Sequence, residues 1–97
     1  MRSYNRVCYE LSCLQVYYKN TYLYKDDPSI LLLVKAYESV IQCAPLKLVT
    51  VYRLVYKLNN SLAVAAEEMQ ISKRSMARYS KQLKNYFVKN LSERVLC

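Results

Sequence analysis

The chain contains no glycine, and its only two prolines stand at Pro28 and Pro45. Tight β-hairpin turns depend on residues with positive backbone dihedrals, which glycine adopts at the least energetic cost. A sequence without glycine is therefore poorly suited to a sheet of hairpins and well suited to helices joined by a few short connections. We predict an all-α fold of about five helices in a single domain that spans residues 1–97.

Apolar periodicity and capping residues set the expected helix boundaries. A first helix is predicted from residue 3 to about residue 20, and Asp27 before Pro28 opens a second that runs to about residue 43. The aspartate can cap free N–H groups, and proline is well tolerated at the first helical position. Pro45 starts a third helix to about residue 58, and the last two are predicted over residues 61–69 and 72–94.

These helices fall into two parts, an N-terminal helical pair in residues 1–44 and a helix-turn-helix element in residues 45–97. The second helix is apolar around much of its girth, so we expect it to be central. The third helix should direct one face inward, formed by Leu48, Val51, Tyr52, Val55 and Leu58. The end of the last helix, residues 86–97, is expected to fray or to project as a partner-binding arm.

Residues 61–83 have the pattern of two short helices joined by a tight turn. Apolar residues recur at helical spacing in both segments, and Ile71 lies between them as the expected buried residue of the turn. Ser72 is a good N-cap for the second segment, because its hydroxyl can accept a hydrogen bond from an otherwise unpaired backbone N–H. This arrangement is typical of a DNA-binding helix-turn-helix.

The charge pattern supports the same interpretation. The chain has 15 Lys and Arg against 7 Asp and Glu, a net charge of +8, which attracts polyanions. Lys73 and Arg74 stand where the helix macrodipole disfavours cations by roughly 0.3–1 kcal/mol each. No acid lies between Gln70 and Asn90, whereas six cations do: Lys73, Arg74, Arg78, Lys81, Lys84 and Lys89.

We therefore expect the second helix of this motif to read double-stranded DNA. Lys73, Arg74 and Arg78 are predicted to contact base edges or nearby phosphates in the major groove. Lys81, Lys84 and Lys57 are predicted to contact backbone phosphate. A solvated basic surface without a DNA role is the alternative for the lysines taken singly.

Other classes of function find little support in the sequence. The chain has no histidine, and its four cysteines (Cys8, Cys13, Cys43, Cys97) form no C-x-x-C pair, so neither a metal site, a cofactor nor catalysis is expected. No apolar stretch is long enough for a membrane span, and no secretory signal is recognisable. We expect a non-enzymatic protein of the bacterial cytoplasm, with no membrane association.

Eleven tyrosines are more than a core of this size can easily hide, and six of them crowd the first helix and its end: Tyr4, Tyr9, Tyr17, Tyr18, Tyr22 and Tyr24. An aromatic face for a protein partner and simple amphipathic packing are both open. The alternative function is therefore a small helical modulator that binds RNA polymerase, a host regulator or a defence nuclease. A homodimer is also an expectation, because helix-turn-helix proteins commonly pair to match two half-sites.

From Pro45 onward, the chain carries the tyrosine-containing segment VYRLVYKLNN followed by SLAVAAEEMQISKRSMARYSKQLKNYFVKNL. These segments resemble the C-terminal region of phage late-gene transcription regulators of the RinA and ArpU type, and more distantly the fourth conserved region of bacterial sigma factors. The resemblance implies a sequence-specific DNA-binding transcription regulator encoded by a phage or mobile element.

In those families an alanine in the first helix of the motif allows the two helices to cross closely, and Ala66 occupies that position here. The resemblance also implies which residues approach DNA: Ser72, Lys73, Arg74, Ala77, Arg78 and Lys81. The turn position that is often glycine is Gln70. A left-handed turn at Gln70 costs on the order of 1 kcal/mol.

Overall fold

A computed structural model describes residues 3–91 of the chain, and all of its regular structure in that range is helical. The helices are α1 (Tyr4–Lys19), the single turn α2 (Thr21–Tyr24), α3 (Pro28–Ile41), α4 (Leu46–Val51), α5 (Leu62–Met69) and α6 (Lys73–Asn90). A π-helical segment, Tyr52–Lys57, continues α4 without a break. The prediction of an all-α fold is confirmed.

Side-chain caps fix most helix starts where the sequence predicts them. Ser3 accepts a hydrogen bond from the N–H of Arg6 at the start of α1, and Ser61 caps α5 in the same way. Asp27 accepts from the N–H groups of Ser29 and Ile30, with Pro28 as the first residue of α3. Each cap satisfies backbone donors that have no partner within the helix.

The third predicted helix is present but is not uniform. It begins as the α-helix Leu46–Val51 and then widens into the π-helical segment, which ends when the N–H of Leu58 donates to the carbonyl of Arg53 at 2.9 Å. Leu58, predicted to face inward, is 57% exposed, so that part of the prediction is wrong. The wider turn shifts the helical phase, and Leu58 falls beyond the last inward position.

Helix α6, rather than the second predicted helix, is the central element. Among the described residues α6 contacts α1, α3, α4 and α5, whereas α3 packs mainly on α1 and α6. The expectation that α3 is central is wrong, because α3 buries one face and leaves Leu32 45% exposed. Leu31 and Leu33 of the same helix are only half-buried.

The core is continuous between the two predicted parts of the chain. Tyr37 of α3 lies 4.6 Å, between ring centroids, from Phe87 of α6, and Phe87 lies 5.8 Å from Tyr52 of the π-helical segment. All three rings are almost fully buried. Helix α1 also packs against both the π-helical segment and α6, so the N-terminal helices share one core with the helix-turn-helix.

The end of α6 is packed as far as it is described. Phe87 and Leu91 are buried, and the hydroxyl of Tyr86 donates to the carbonyl of Val40 on α3 at 3.3 Å. The expected fraying is thus wrong for residues 86–91. The rest of the predicted arm, residues 92–97, lies outside the described residues.

Within residues 3–91, no helix is both long enough and apolar enough to cross a membrane.

Candidate nucleic-acid interface

Helices α5 and α6 are joined by a left-handed turn at Gln70, which has φ 57° and ψ 44°. The N–H of Ile71 donates to the carbonyl of Ala66 at 3.0 Å, and the N–H of Gln70 donates to that of Glu67 at 3.0 Å. This pair of bonds is the Schellman arrangement, which ends a helix and reverses the chain. Ile71, expected to be the buried residue of the turn, packs against the core but is only half-buried.

The buried side chains of α5 are small. Ala65 and Ala66 of α5 are buried, and α5 packs directly on α6. An alanine presents little bulk between two helix backbones, so it allows a close approach. The role that the resemblance implies for Ala66 at this crossing stays a prediction.

The start of α6 is fixed by Ser72, whose hydroxyl oxygen accepts a hydrogen bond from the N–H of Ser75 at 3.1 Å. The predicted N-cap is confirmed. Ser75 is linked further to Arg78, whose Nη2 donates to its hydroxyl oxygen at 3.5 Å. Polar contacts thus hold the first turn of α6 and orient one of its arginines.

The predicted DNA-contacting residues of α6 lie on its outer side. Arg74, Arg78 and Lys81 are exposed and follow at spacings of four and three residues, so they form one row along the helix. The opposite side of the helix holds the buried residues Met76, Ser80, Leu83 and Phe87. Lys73 and Ala77 are exposed beside the row, and Lys84 is half-buried. We call these cations together with exposed Lys89 the α6 basic face.

The charges of the α6 basic face are not neutralised by the parts of the chain that the structure describes. The two ion pairs described there join Arg6 to Glu10 and Lys57 to Glu38, and neither involves a cation of α6. Unpaired cations on a single helix face create a positive potential that attracts polyanions. Glu67 and Glu68 are exposed at the end of α5, so acidic charge borders the turn.

Lys57 lies in a different cluster from the α6 residues. Its Nζ is 3.4 Å from Oε1 of Glu38 on α3 and 5.6 Å from the ring centroid of Tyr18 on α1. Glu38 also accepts a hydrogen bond from the Tyr18 hydroxyl at 2.7 Å. Lys57 therefore already has an anionic partner, and its role as a phosphate contact stays a prediction.

One cation beside α6 was not among the predicted contacts. The Nζ of Lys47, in the first turn of α4, lies 4.9 Å from the ring centroid of Tyr79 on α6. Tyr79 immediately follows Arg78, and Lys47 is exposed. The inward face predicted for the third helix does not include Lys47, so the sequence indicates only that Lys47 faces away from the buried side. The sequence does not predict its contact with Tyr79, because the pairing of α4 with α6 depends on the tertiary fold.

The Tyr-rich first helix divides between packing and exposure. Tyr17 and Tyr18 pack against the core, whereas Tyr9 and Tyr22 are 70% and 78% exposed. Between α1 and the start of α3 lies a groove of about 230 Å³, lined by Cys13, Val16, Tyr17, Tyr24, Asp27 and Ile30. Some of these tyrosines thus serve amphipathic packing, whereas others are exposed on the surface. Whether the exposed ones bind a protein partner stays a prediction.

Among the described residues, no group of His, Cys, Asp or Glu side chains is arranged to hold a metal ion. Comparison of the chain with models of protein families, with curated proteins and with solved structures finds no match.

Proposed function

We propose that this chain is a sequence-specific DNA-binding transcription regulator in which α6 enters the major groove. The observation that carries the proposal is the α6 basic face, whose row of Arg74, Arg78 and Lys81 is exposed and unpaired within residues 3–91. A recognition helix contacts base edges with residues near its N-terminus, where Lys73 and Arg74 lie.

The roles follow from side-chain chemistry. Arg74 and Arg78 each offer a planar guanidinium that can make two parallel hydrogen bonds to O6 and N7 of guanine. Lys81 and Lys84 are point charges farther along the helix and suit backbone phosphate. Ser72 supports the site by holding the first turn, and Ala77 leaves room for a base edge between Arg74 and Arg78.

Lys47 widens the surface at one edge of α6. Its stacking on Tyr79 holds an ammonium group beside the recognition helix, where a groove-bound duplex would bring a phosphate strand. Lys57 belongs to a cluster with Glu38, so a phosphate contact there would have to compete with an existing ion pair. We therefore rank Lys47 above Lys57 as a backbone contact.

The proposed family is the RinA- and ArpU-like group of phage regulators, which the sequence of the C-terminal half resembles. The left-handed turn at Gln70 and the buried Ala66 are compatible with that group. A bacterial cytoplasmic location and a phage or mobile-element origin belong to the same proposal, as does a homodimer that would match two half-sites.

Selection of bound sequences from a random duplex pool, followed by a salt-titrated shift assay, tests the proposal. We expect an enriched motif that is bound at least about 10³-fold more tightly than a scrambled duplex. The double variant Arg74→Ala with Arg78→Ala should lose the motif. A matched control is the double variant Lys19→Ala with Lys35→Ala, which removes two exposed cations of α1 and α3. The two double variants lower the net charge by the same amount. Equal loss in both variants would contradict the proposal.

A protein-binding modulator is the second candidate, favoured by the exposed apolar side chains of α1 and α2. Tyr9, Val16, Tyr22 and Leu23 are all exposed, and Val16 also lines the groove described above. Mass measurement by light scattering with and without RNA polymerase addresses this candidate. The modulator would be favoured if binding to all duplex sequences were lost near physiological salt and a stable protein complex formed.

A further inference from the structure

A second cavity, of about 240 Å³, lies between α3 and the π-helical segment, and none of its described lining residues belongs to α6. Its polar lining is formed by Glu38, Gln42, Arg53 and Lys57. Its apolar lining is formed by Ile41, Val49 and Tyr52. A concave site with an apolar wall and a few convergent polar groups is the usual form of a small-molecule site.

The charges in this cavity do not cancel. Lys57 is paired with Glu38 at 3.4 Å, and Glu38 also accepts the Tyr18 hydroxyl. Arg53 is exposed and makes no ion pair or hydrogen bond through its side chain with any residue of 3–91. One guanidinium is therefore left to bind an anion.

The backbone around Arg53 is unusual. The whole wall from Tyr52 to Lys57 is π-helical. Such segments are rare, and they occur frequently at functional sites because they displace side chains from their α-helical positions. Arg53 and Lys57 both line the cavity, since residues four apart lie on one face of a helix.

Hydrogen bonds connect the buried side of the cavity to α1. The hydroxyl groups of Tyr52 and Tyr18 lie 3.1 Å apart, and Tyr18 donates to Glu38 at 2.7 Å. Tyr52 is almost fully buried, so its ring holds a fixed position under the site. The apolar body of a ligand would meet a preformed ring surface, which lowers the entropic cost of binding.

From these contacts we infer that the cavity binds a small organic monoanion, a carboxylate with an apolar body. Its carboxylate would pair with the guanidinium of Arg53, the geometry that arginine favours. Its apolar body would lie on Ile41 and Val49. A phosphate monoester carries nearly two negative charges and would meet repulsion from the Glu38 carboxylate, so a monoanion fits the net charge of the site better.

The test uses the full chain, labelled with ¹⁵N, and sodium benzoate as the probe, with benzamide as its uncharged counterpart and inorganic phosphate as the dianion. We expect saturable amide shifts in α3 and the π-helical segment with benzoate, with a dissociation constant on the order of 1 mM, as suits so small a ligand. Benzamide and phosphate should bind more weakly.

Two variants test whether benzoate binds at Arg53. Arg53→Gln should weaken benzoate binding at least about fivefold, since it removes the charged partner. Arg74→Gln, an exposed arginine on α6, should leave it unchanged. Because Arg53 is exposed and unpaired among the described residues, its replacement should keep the remaining amide spectrum. Shifts that do not saturate, that survive Arg53→Gln, or that spread equally over α6 would overturn the inference, as would tighter binding of phosphate.

Discussion

The ammonium of Lys47 lies 4.9 Å from the centre of the Tyr79 ring, and this contact joins the first turn of α4 to the outer edge of α6. Tyr79 is half-buried, so its ring is held by the core while its outer face supports the cation. The contact brings one more positive charge to the side of the proposed recognition helix.

Replacing Lys47 by alanine should weaken binding to all duplex sequences alike. If Lys47 contacts one phosphate, the slope of log affinity against log salt should become less steep by about 0.9. The measurement is a binding isotherm at several salt concentrations, on the selected motif and on a scrambled duplex. Lys35→Ala on α3 is the control, and an equal change in that variant would remove any specific role for Lys47.

Loss of Arg74 and loss of Lys84 should have different effects on DNA binding. Arg74→Ala should cost roughly 1–3 kcal/mol on the selected motif and relax preference at one base pair, because a bidentate base contact is lost. Lys84→Ala should reduce affinity without changing preference. Repeating the selection with each variant measures this, and an unchanged motif for Arg74→Ala would place base reading elsewhere.

Gln70 holds a left-handed conformation at φ 57°, which costs a residue with a Cβ roughly 1 kcal/mol relative to glycine. Gln70→Gly should therefore raise the free energy of unfolding by about 0.5–1 kcal/mol in urea denaturation. Gln70→Val should lower it, since a β-branched residue fits this region poorly. A destabilised Gln70→Gly variant would show that the Gln70 side chain contributes more than its backbone costs.

The hydroxyl of Tyr37 donates to Oε1 of Glu10 at 2.7 Å inside the fold, where both residues are buried. Tyr37→Phe removes a donor from a buried carboxylate and should destabilise the chain by about 1–3 kcal/mol. Tyr22→Phe is the matched control, because Tyr22 is 78% exposed. Chemical denaturation of the two variants gives the comparison, and equal stabilities would mean that water replaces the lost donor.

High pH should unfold the protein through its buried phenols. Burial raises the pKa of Tyr56 to about 12 from 10.0. Burial, more than any other cause, also raises the pKa values of Tyr18 and Tyr52. The folded chain thus keeps protons that the unfolded chain releases near pH 10, so stability is intact below pH 10 and falls as pH rises toward 12.

Tyrosinate absorbance and helical circular dichroism, followed together during an alkaline titration, check this expectation. A first group of phenols should ionise with the helices intact, and the buried phenols of Tyr18, Tyr52 and Tyr56 should ionise only as helicity is lost. Ionisation of all tyrosines in one step near pH 10, with no change in helicity, would contradict it.

The sequence alone determined the helical class and most helix starts. These follow from local physics: the caps Ser3, Asp27 and Ser72 satisfy backbone donors within a few residues of themselves. The row of Arg74, Arg78 and Lys81 is equally local, because a helix of known phase fixes which residues share a face.

Only the tertiary structure decided which helix is central and which cations lie together. Apolar content suggested α3, yet α6 contacts more of the other helices, since burial depends on how faces pair rather than on the number of apolar residues. Likewise, Lys47 meets Tyr79 and Lys57 meets Glu38 through helices that are far apart in sequence. The π-helical phase that exposes Leu58 also depends on that packing, because nothing in the local sequence favours the wider turn.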